Sequence, residues 1–265
     1  MSQLELWSYT FRDTPIVTLA GAAARAGFRW ITATPDQIAR EGLSTVALRR
    51  AIEQQGIGLS AIDGLCTVLP GTPLYRKPGE PTLEHCLELA TALGARLVNL
   101  VHIGGGPTPI DELAAAFAEA CALAAGSAIE LAIEFLPGTG IPDLPTCAAV
   151  VRASGASNGS ILLDTWHLAR GGGTVADLDA DTAMLVGGLQ LADRSPEQDR
   201  QPYVPMRGRK LPGEGALPLA EIVRRVLAAR PDLPIGLEVL SDEMDELGPE
   251  AGSRRLVQAC RAFCI

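Results

Sequence analysis

At 265 residues, of which 47% are hydrophobic, the chain can bury a large core, and intrinsic disorder is excluded. Twenty-two Lys and Arg against 31 Asp and Glu leave a formal net charge of -9, which repels a phosphate backbone and sets nucleic acid aside as a partner. No apolar run approaches the roughly 20 residues that cross a bilayer, and the start, MSQLELWSYTFRD, lacks the basic stretch and apolar core of a signal peptide, so a cytoplasmic protein with no membrane partner is expected.

Along the chain, short apolar runs alternate with Ala/Leu/Arg-rich segments of helical period. LELWSY (4–9) precedes a helix at about 14–26, opened by Thr14 and Pro15, and RWITAT (29–34) precedes one at 44–55, opened by Ser44. IGLSAID (57–63) is followed by a helix at 81–94 and RLVNLVHI (96–103) by one at 109–126, each with proline at its start. ELAIEF (130–135), SILLD (160–164), GGLQLAD (187–193) and PIGLEVL (234–240) complete the strands, with helices at about 143–154, 174–182, 217–230 and 249–263.

Eight β-then-α units without a compositional break predict an α/β fold, a single-domain (β/α)8 TIM barrel over residues 1–265. GGG at 104–106 follows a strand but lacks the G-x-G-x-x-G spacing of a nucleotide site. The six cysteines show no Cys-x-x-Cys pair, so reduced thiols are expected; Cys260 and Cys264 share a helical spacing that arises easily by chance. Residues 65–80 and 194–216 are long connections for a compact barrel. The second carries Arg194, Arg200, Arg207, Arg209 and Lys210 against three acids, and is expected to be a mobile lid whose cations grip a polar or anionic substrate.

The chemistry concentrates where the last four strands each set one oxygen donor in an apolar run: Glu134, Asp164, Gln190 and Glu238. The residues two positions earlier, Ala132, Leu162, Gly188 and Gly236, share their inward face, and three are small, which predicts open space at the barrel mouth. Three carboxylates buried together need a counter-charge, and a divalent cation supplies it. Hard oxygen donors favour Mn2+ or Mg2+, with Co2+ as a substitute. The plain alternative is that these strand ends only bond to loops.

His167, three residues past Asp164, is expected beside the metal, and His102 at the end of strand 4 faces the same mouth. His85 is most simply a helix residue. Arg170, Arg194 and Arg209 are candidate substrate clamps, and Trp7, Tyr9 and Trp166 candidate pocket walls; salt-bridged loops and core packing are the respective alternatives.

LAIEFLP, LLDTWHLARGG, QLAD, RGRKLPGEG and GLEVL together resemble the xylose isomerase-like TIM barrels, sugar (phosphate) isomerases and epimerases that share a fold with endonuclease IV, and the resemblance spans essentially the whole chain. It implies metal ligands at Glu134, Asp164, Gln190 and Glu238, a substrate-contacting histidine at His167, and a substrate arginine at Arg209 or Arg207. Gln190 departs from the histidine common at that position, where bacterial 3-dehydroshikimate dehydratases of this barrel type carry glutamine, and Gly140 replaces a second substrate-binding glutamate of ketose epimerases. Three histidines are too few for the trinuclear zinc site of an endonuclease IV-like enzyme.

The resemblance implies a metal-dependent isomerase or epimerase of a small polyhydroxylated carbonyl substrate, working through a metal-stabilised enediolate with Glu134 and Glu238 as the acid/base pair. A dehydratase of the 3-dehydroshikimate or inosose type is the alternative, and a non-catalytic sugar-binding barrel the third. Barrels of this size often self-associate, so a homo-oligomer is a candidate assembly.

Overall fold

The computed structural model describes residues 3–261. Eight parallel strands, β1 (Leu4–Leu6), β2 (Trp30–Ala33), β3 (Gly58–Leu65), β4 (Leu97–Val101), β5 (Glu130–Glu134), β6 (Gly159–Asp164), β7 (Val186–Gln190) and β8 (Ile235–Leu237), pair in the order β7-β6-β5-β4-β3-β2-β1-β8. The ring closes between β7 and β8 through one bridge, Leu191 with Leu237, where the Leu191 N–H donates to the Gly236 carbonyl at 2.8 Å and the Glu238 N–H to the Leu191 carbonyl at 3.2 Å. With helices between the strands this is the expected single-domain (β/α)8 TIM barrel.

The helices are α1 (Ile16–Ala26), α2 (Pro35–Arg40), α3 (Thr45–Glu53), α4 (Leu83–Leu93), α5 (Ile110–Leu123), α6 (Leu144–Ser154), α7 (Thr165–Arg170), α8 (Ala180–Ala183), α9 (Leu219–Ala229) and α10 (Asp242–Cys260). Two of these, α2 and α7, fall where the sequence reading expects loops. Thr34 and Gln37 form a capping box that starts α2, and the Asp164 carboxylate caps α7. The helix expected at 174–182 is a 3-10 turn followed by α8, because Thr174 and Asp179 each cap a fresh start. The helix expected at 249–263 begins earlier, at Asp242, and breaks at Gly248 before Pro249; residues 262–265, with Cys264, lie outside the described residues. No helix among the described residues is long and apolar enough to cross a membrane.

Inside the barrel, alternation along the strands stacks side chains in layers. Trp7, Ala61, Leu97, Ala132 and Leu162 form a fully buried apolar layer. The expected room at the barrel mouth lies above this layer, whereas the space at the glycines in register with it is filled. A Cβ on Gly188 would lie 2.6 Å from Leu162 Cδ1, and one on Gly236 would collide with the Leu189 backbone carbonyl and the Trp7 indole, so the missing side chains make room for Leu162, for Trp7 and for the neighbouring strand. The apolar layer is thus the filled floor on which the next layer rests.

Candidate functional site

One register step above that floor, Asp63, Asn99, Glu134, Asp164, Gln190 and Glu238 point inward from β3 to β8, and each is at most 7% exposed. They stand at the C-terminal ends of the strands, where a cavity of about 300 Å³ opens. Tyr9, Asp63, Glu134, His167, Arg209 and Glu238 are among its lining residues.

Asp164 ends β6, and its Oδ1 accepts from the backbone N–H groups of Trp166 (2.6 Å) and His167 (3.3 Å). The helix this cap starts turns His167 back over the strand end, so that its Nε2 stands 3.2 Å from Glu134 Oε1 and 3.3 Å from Asp164 Oδ2. The other ring nitrogen, Nδ1, is 2.8 Å from the Tyr203 hydroxyl. Glu134, Asp164 and His167 offer ligand atoms all within 4.8 Å of one another, close enough to hold one metal ion. Three deeply buried oxygens in this layer, Asn99 Oδ1, Asp164 Oδ2 and Gln190 Oε1, make no hydrogen bond, although Asp164 Oδ2 lies within ion-pair distance of Arg209 and His167; Asp164 and Gln190 are paired across β6 and β7.

Among the described residues, one permanent cation answers these carboxylates. Arg209 Nη1 lies 2.8 Å from Glu238 Oε2 and 3.0 Å from Asp164 Oδ2. Burial opposes the Arg209 charge, but Asp164 and Glu238 outweigh it and hold its pKa above the ordinary value. Burial pushes the Glu238 carboxyl well above the usual range against the pull of Arg209, with Asp63, Glu134 and Asp164 adding to the rise. Burial also lifts Asp63 to about 7, helped by the Glu134 charge and opposed by bonds from Asn99 and the Gly64 N–H.

Asp193 explains how Arg209 is delivered from a long connection. Its buried carboxylate accepts from the N–H groups of Arg194, Gly213, Gly215 and Leu217 at 2.8 to 3.1 Å, and its backbone exchanges two 2.8 Å bonds with Lys210. The segment from 194 to 216 is therefore pinned at its base. Farther out, Arg170 bonds to the carbonyls of Gln198 and Gln201, Trp166 Nε1 donates to the Val204 carbonyl at 3.2 Å, and Pro205 and Met206 roof the cavity.

The other expected substrate contacts take different places. Tyr9 and Arg209 line the cavity, whereas Trp7 lies in the floor beneath it. Trp166 and Arg170 stack on each other and fasten the roof, because their polar ends are used by loop carbonyls. Arg207 is exposed and does not line the cavity; among the described loop cations only Arg209 does. His102 is fully buried, with Nε2 3.0 Å from the Pro70 carbonyl and Nδ1 accepting from the Gly140 N–H at 3.3 Å. A Cβ on Gly140 would lie 2.7 Å from that ring, so His102 fills the space a side chain at 140 would need.

Three members of the site escape the sequence reading. Asp63 ends IGLSAID as Asp164 ends SILLD, so its signal is present but falls outside the last four strands. Asn99, in the middle of an apolar strand, donates from Nδ2 to Asp63 Oδ1 and Glu134 Oε2, both at 2.8 Å. Tyr203 sits in a loop with no periodicity to mark it.

A Streptomyces coelicolor protein named "Putative hydroxypyruvate isomerase" is 28% identical over 264 residues, covering 87% of this chain and 88% of its own. Among solved structures, the IOLI protein, described with a zinc atom, superposes with a TM-score of 0.84 at 16% identity over 100% of both chains. AsbF of Bacillus anthracis, described as a probable 3-DHS dehydratase, gives 0.77 at 15% identity (96% of this chain, 98% of that one), and an L-ribulose 3-epimerase 0.73 at 19% (99% and 93%). The chain also spans 42% of a fusion of a xylose isomerase-like TIM barrel with a 4-hydroxyphenylpyruvate dioxygenase, with a TM-score of 0.82 at 17% identity over 97% of this chain. At these identities the solved structures speak for the fold. The family assignment rests on a sequence profile matching residues 20–263: the chain belongs to the xylose isomerase-like TIM barrel family.

Proposed function

We propose that the chain is a divalent-metal-dependent isomerase or epimerase of polyhydroxylated carbonyl compounds. The observation that carries this reading is Gln190 Oε1, buried without a hydrogen bond in one layer with the carboxylates of Glu134, Asp164 and Glu238. Such an oxygen costs about 1–3 kcal/mol if left unsatisfied, and a hard cation satisfies it while offsetting the carboxylates that one arginine answers only in part. Glu134, Asp164, Gln190 and Glu238 would hold it, an all-oxygen set suited to Mn2+ or Mg2+, with Co2+ as a substitute. When bound, the ion supplies positive charge that acidifies a C–H beside the substrate carbonyl and offsets the oxyanion.

The chain's own groups do the proton work. Glu134 and Glu238 come from β5 and just beyond β8, so their carboxyls reach a substrate from different sides, one taking the proton from carbon and the other returning it. His167, steadied by Tyr203, orients a substrate hydroxyl or hands it a proton from Nε2. The name given to the Streptomyces coelicolor relative is that of a carbonyl isomerase, although of a keto acid rather than a polyhydroxylated compound.

One observation favours a dehydratase as the second reading: His102 occupies the space at Gly140, where ketose epimerases carry a further glutamate. The test is incubation of metal-loaded protein with ketoses, inososes and cyclic enones in D2O. Deuterium entering beside a carbonyl, and lost in Glu134→Gln, is the expected result; net loss of water would establish the dehydratase. No reaction with any of them would leave a sugar-binding barrel.

A further inference from the structure

Asp63 is a buried carboxylate that faces the cavity and that the proton transfers above do not use. It comes from β3, across the barrel mouth from β6 and β7, which carry Asp164 and Gln190. Asn99 ties it to Glu134 by donating one amide N–H to each, so the carboxylate is held in place and keeps accepting capacity for a ligand. Tyr9 and Cys66 complete this wall, and burial with the nearby Asp63 charge raises the pKa of both, Cys66 to about 12. Both therefore present neutral, hydrogen-bonding groups.

The charge inventory of the cavity points the same way. Asp36, Asp63, Glu80, Glu134 and Glu238 line it against one arginine, and that arginine is paired to Asp164 and Glu238. Arg12 and Arg40 line a separate recess at the rim, and Lys77 pairs with Glu80. Building on the functional reading above, we propose that Asp63, oriented by Asn99, determines specificity: it accepts a hydrogen bond from a substrate hydroxyl remote from the reacting carbons and excludes a carboxylate or phosphate from that end. The substrate class is accordingly an uncharged polyhydroxylated carbonyl. Where Asp63 is ionised, a second anion against it would be desolvated beside a like charge, and among the described residues the one arginine lining the cavity is already paired.

Calorimetric titration of the metal-loaded protein at pH 8 with xylitol and with xylonate tests this without turnover, with bound metal per chain measured in every variant. Wild type is expected to bind xylitol at least about tenfold more tightly than xylonate. Asp63→Asn, which keeps the shape and removes the charge, should shrink that gap by about tenfold or more with metal retained, and Asp63→Ser should shrink it while weakening xylitol. A gap unchanged in both variants, or tighter xylonate binding by wild type, overturns the inference and leaves the isomerase reading standing. Binding of neither compound to wild type overturns both. The expected binding pattern without deuterium exchange would overturn the isomerase reading alone.

Discussion

Asp164 divides its carboxylate between two tasks. Oδ1 caps α7 and so aims His167, while Oδ2 faces the layer of donors. Asp164→Ala should therefore lose bound metal and activity together, read by elemental analysis and turnover. His167→Ala should keep the metal while losing about 10²- to 10⁴-fold in turnover, the usual worth of a positioned acid or base. If that variant released the metal instead, histidine rather than Gln190 would be the fourth ligand. Asp63 gives a second check, on stability. Its carboxyl is raised in the fold to about 7 from 3.8, so its contribution is fully present below the lower value and lost as pH rises through the higher one. In metal-stripped protein, Asp63→Asn should raise the melting temperature above that of wild type at pH 8 and gain nothing at pH 4; equal gains at both would remove the titration of Asp63 as the cause.

At the scale of elements, the segment from 194 to 216 is the least regular part of the barrel and one of the most firmly tied. Asp193→Ala would strip four backbone N–H groups of their acceptor and should cost about 2–4 kcal/mol in a denaturant melt, more than a surface substitution. Arg170→Ala should speed hydrogen exchange across 196–206 while the base at 210–217 stays protected, because the two anchors are independent. The strands and most helices were legible because a barrel strand buried on both faces reads as a short apolar run and its covering helix carries a helical period. The short helices α2 and α7 were not, since each is defined by one cap and buries too little for a period to show. Glu134, Asp164, Gln190 and Glu238 were readable as oxygen donors breaking apolar runs; Asn99 and Tyr203 act through tertiary bonds that leave no local pattern.

Taken whole, the barrel is a stack: an apolar floor, a layer of oxygen donors, and a roof from the β7 connection. The floor is close-packed, and Trp7 fills the space that Gly236 leaves. Gly236→Ala should thus destabilise by about 1–3 kcal/mol through overpacking and disturb the layer above it, lowering metal affinity without touching a ligand. A variant as stable as wild type would mean the floor can yield. The central claim, that this layer is a divalent-metal site, is tested most directly by crystals grown with Mn2+ and measured at the manganese absorption edge. One anomalous peak per chain is predicted, about 2.0 to 2.6 Å from oxygens of Glu134, Asp164, Gln190 and Glu238; no peak within reach of these four side chains would contradict the account.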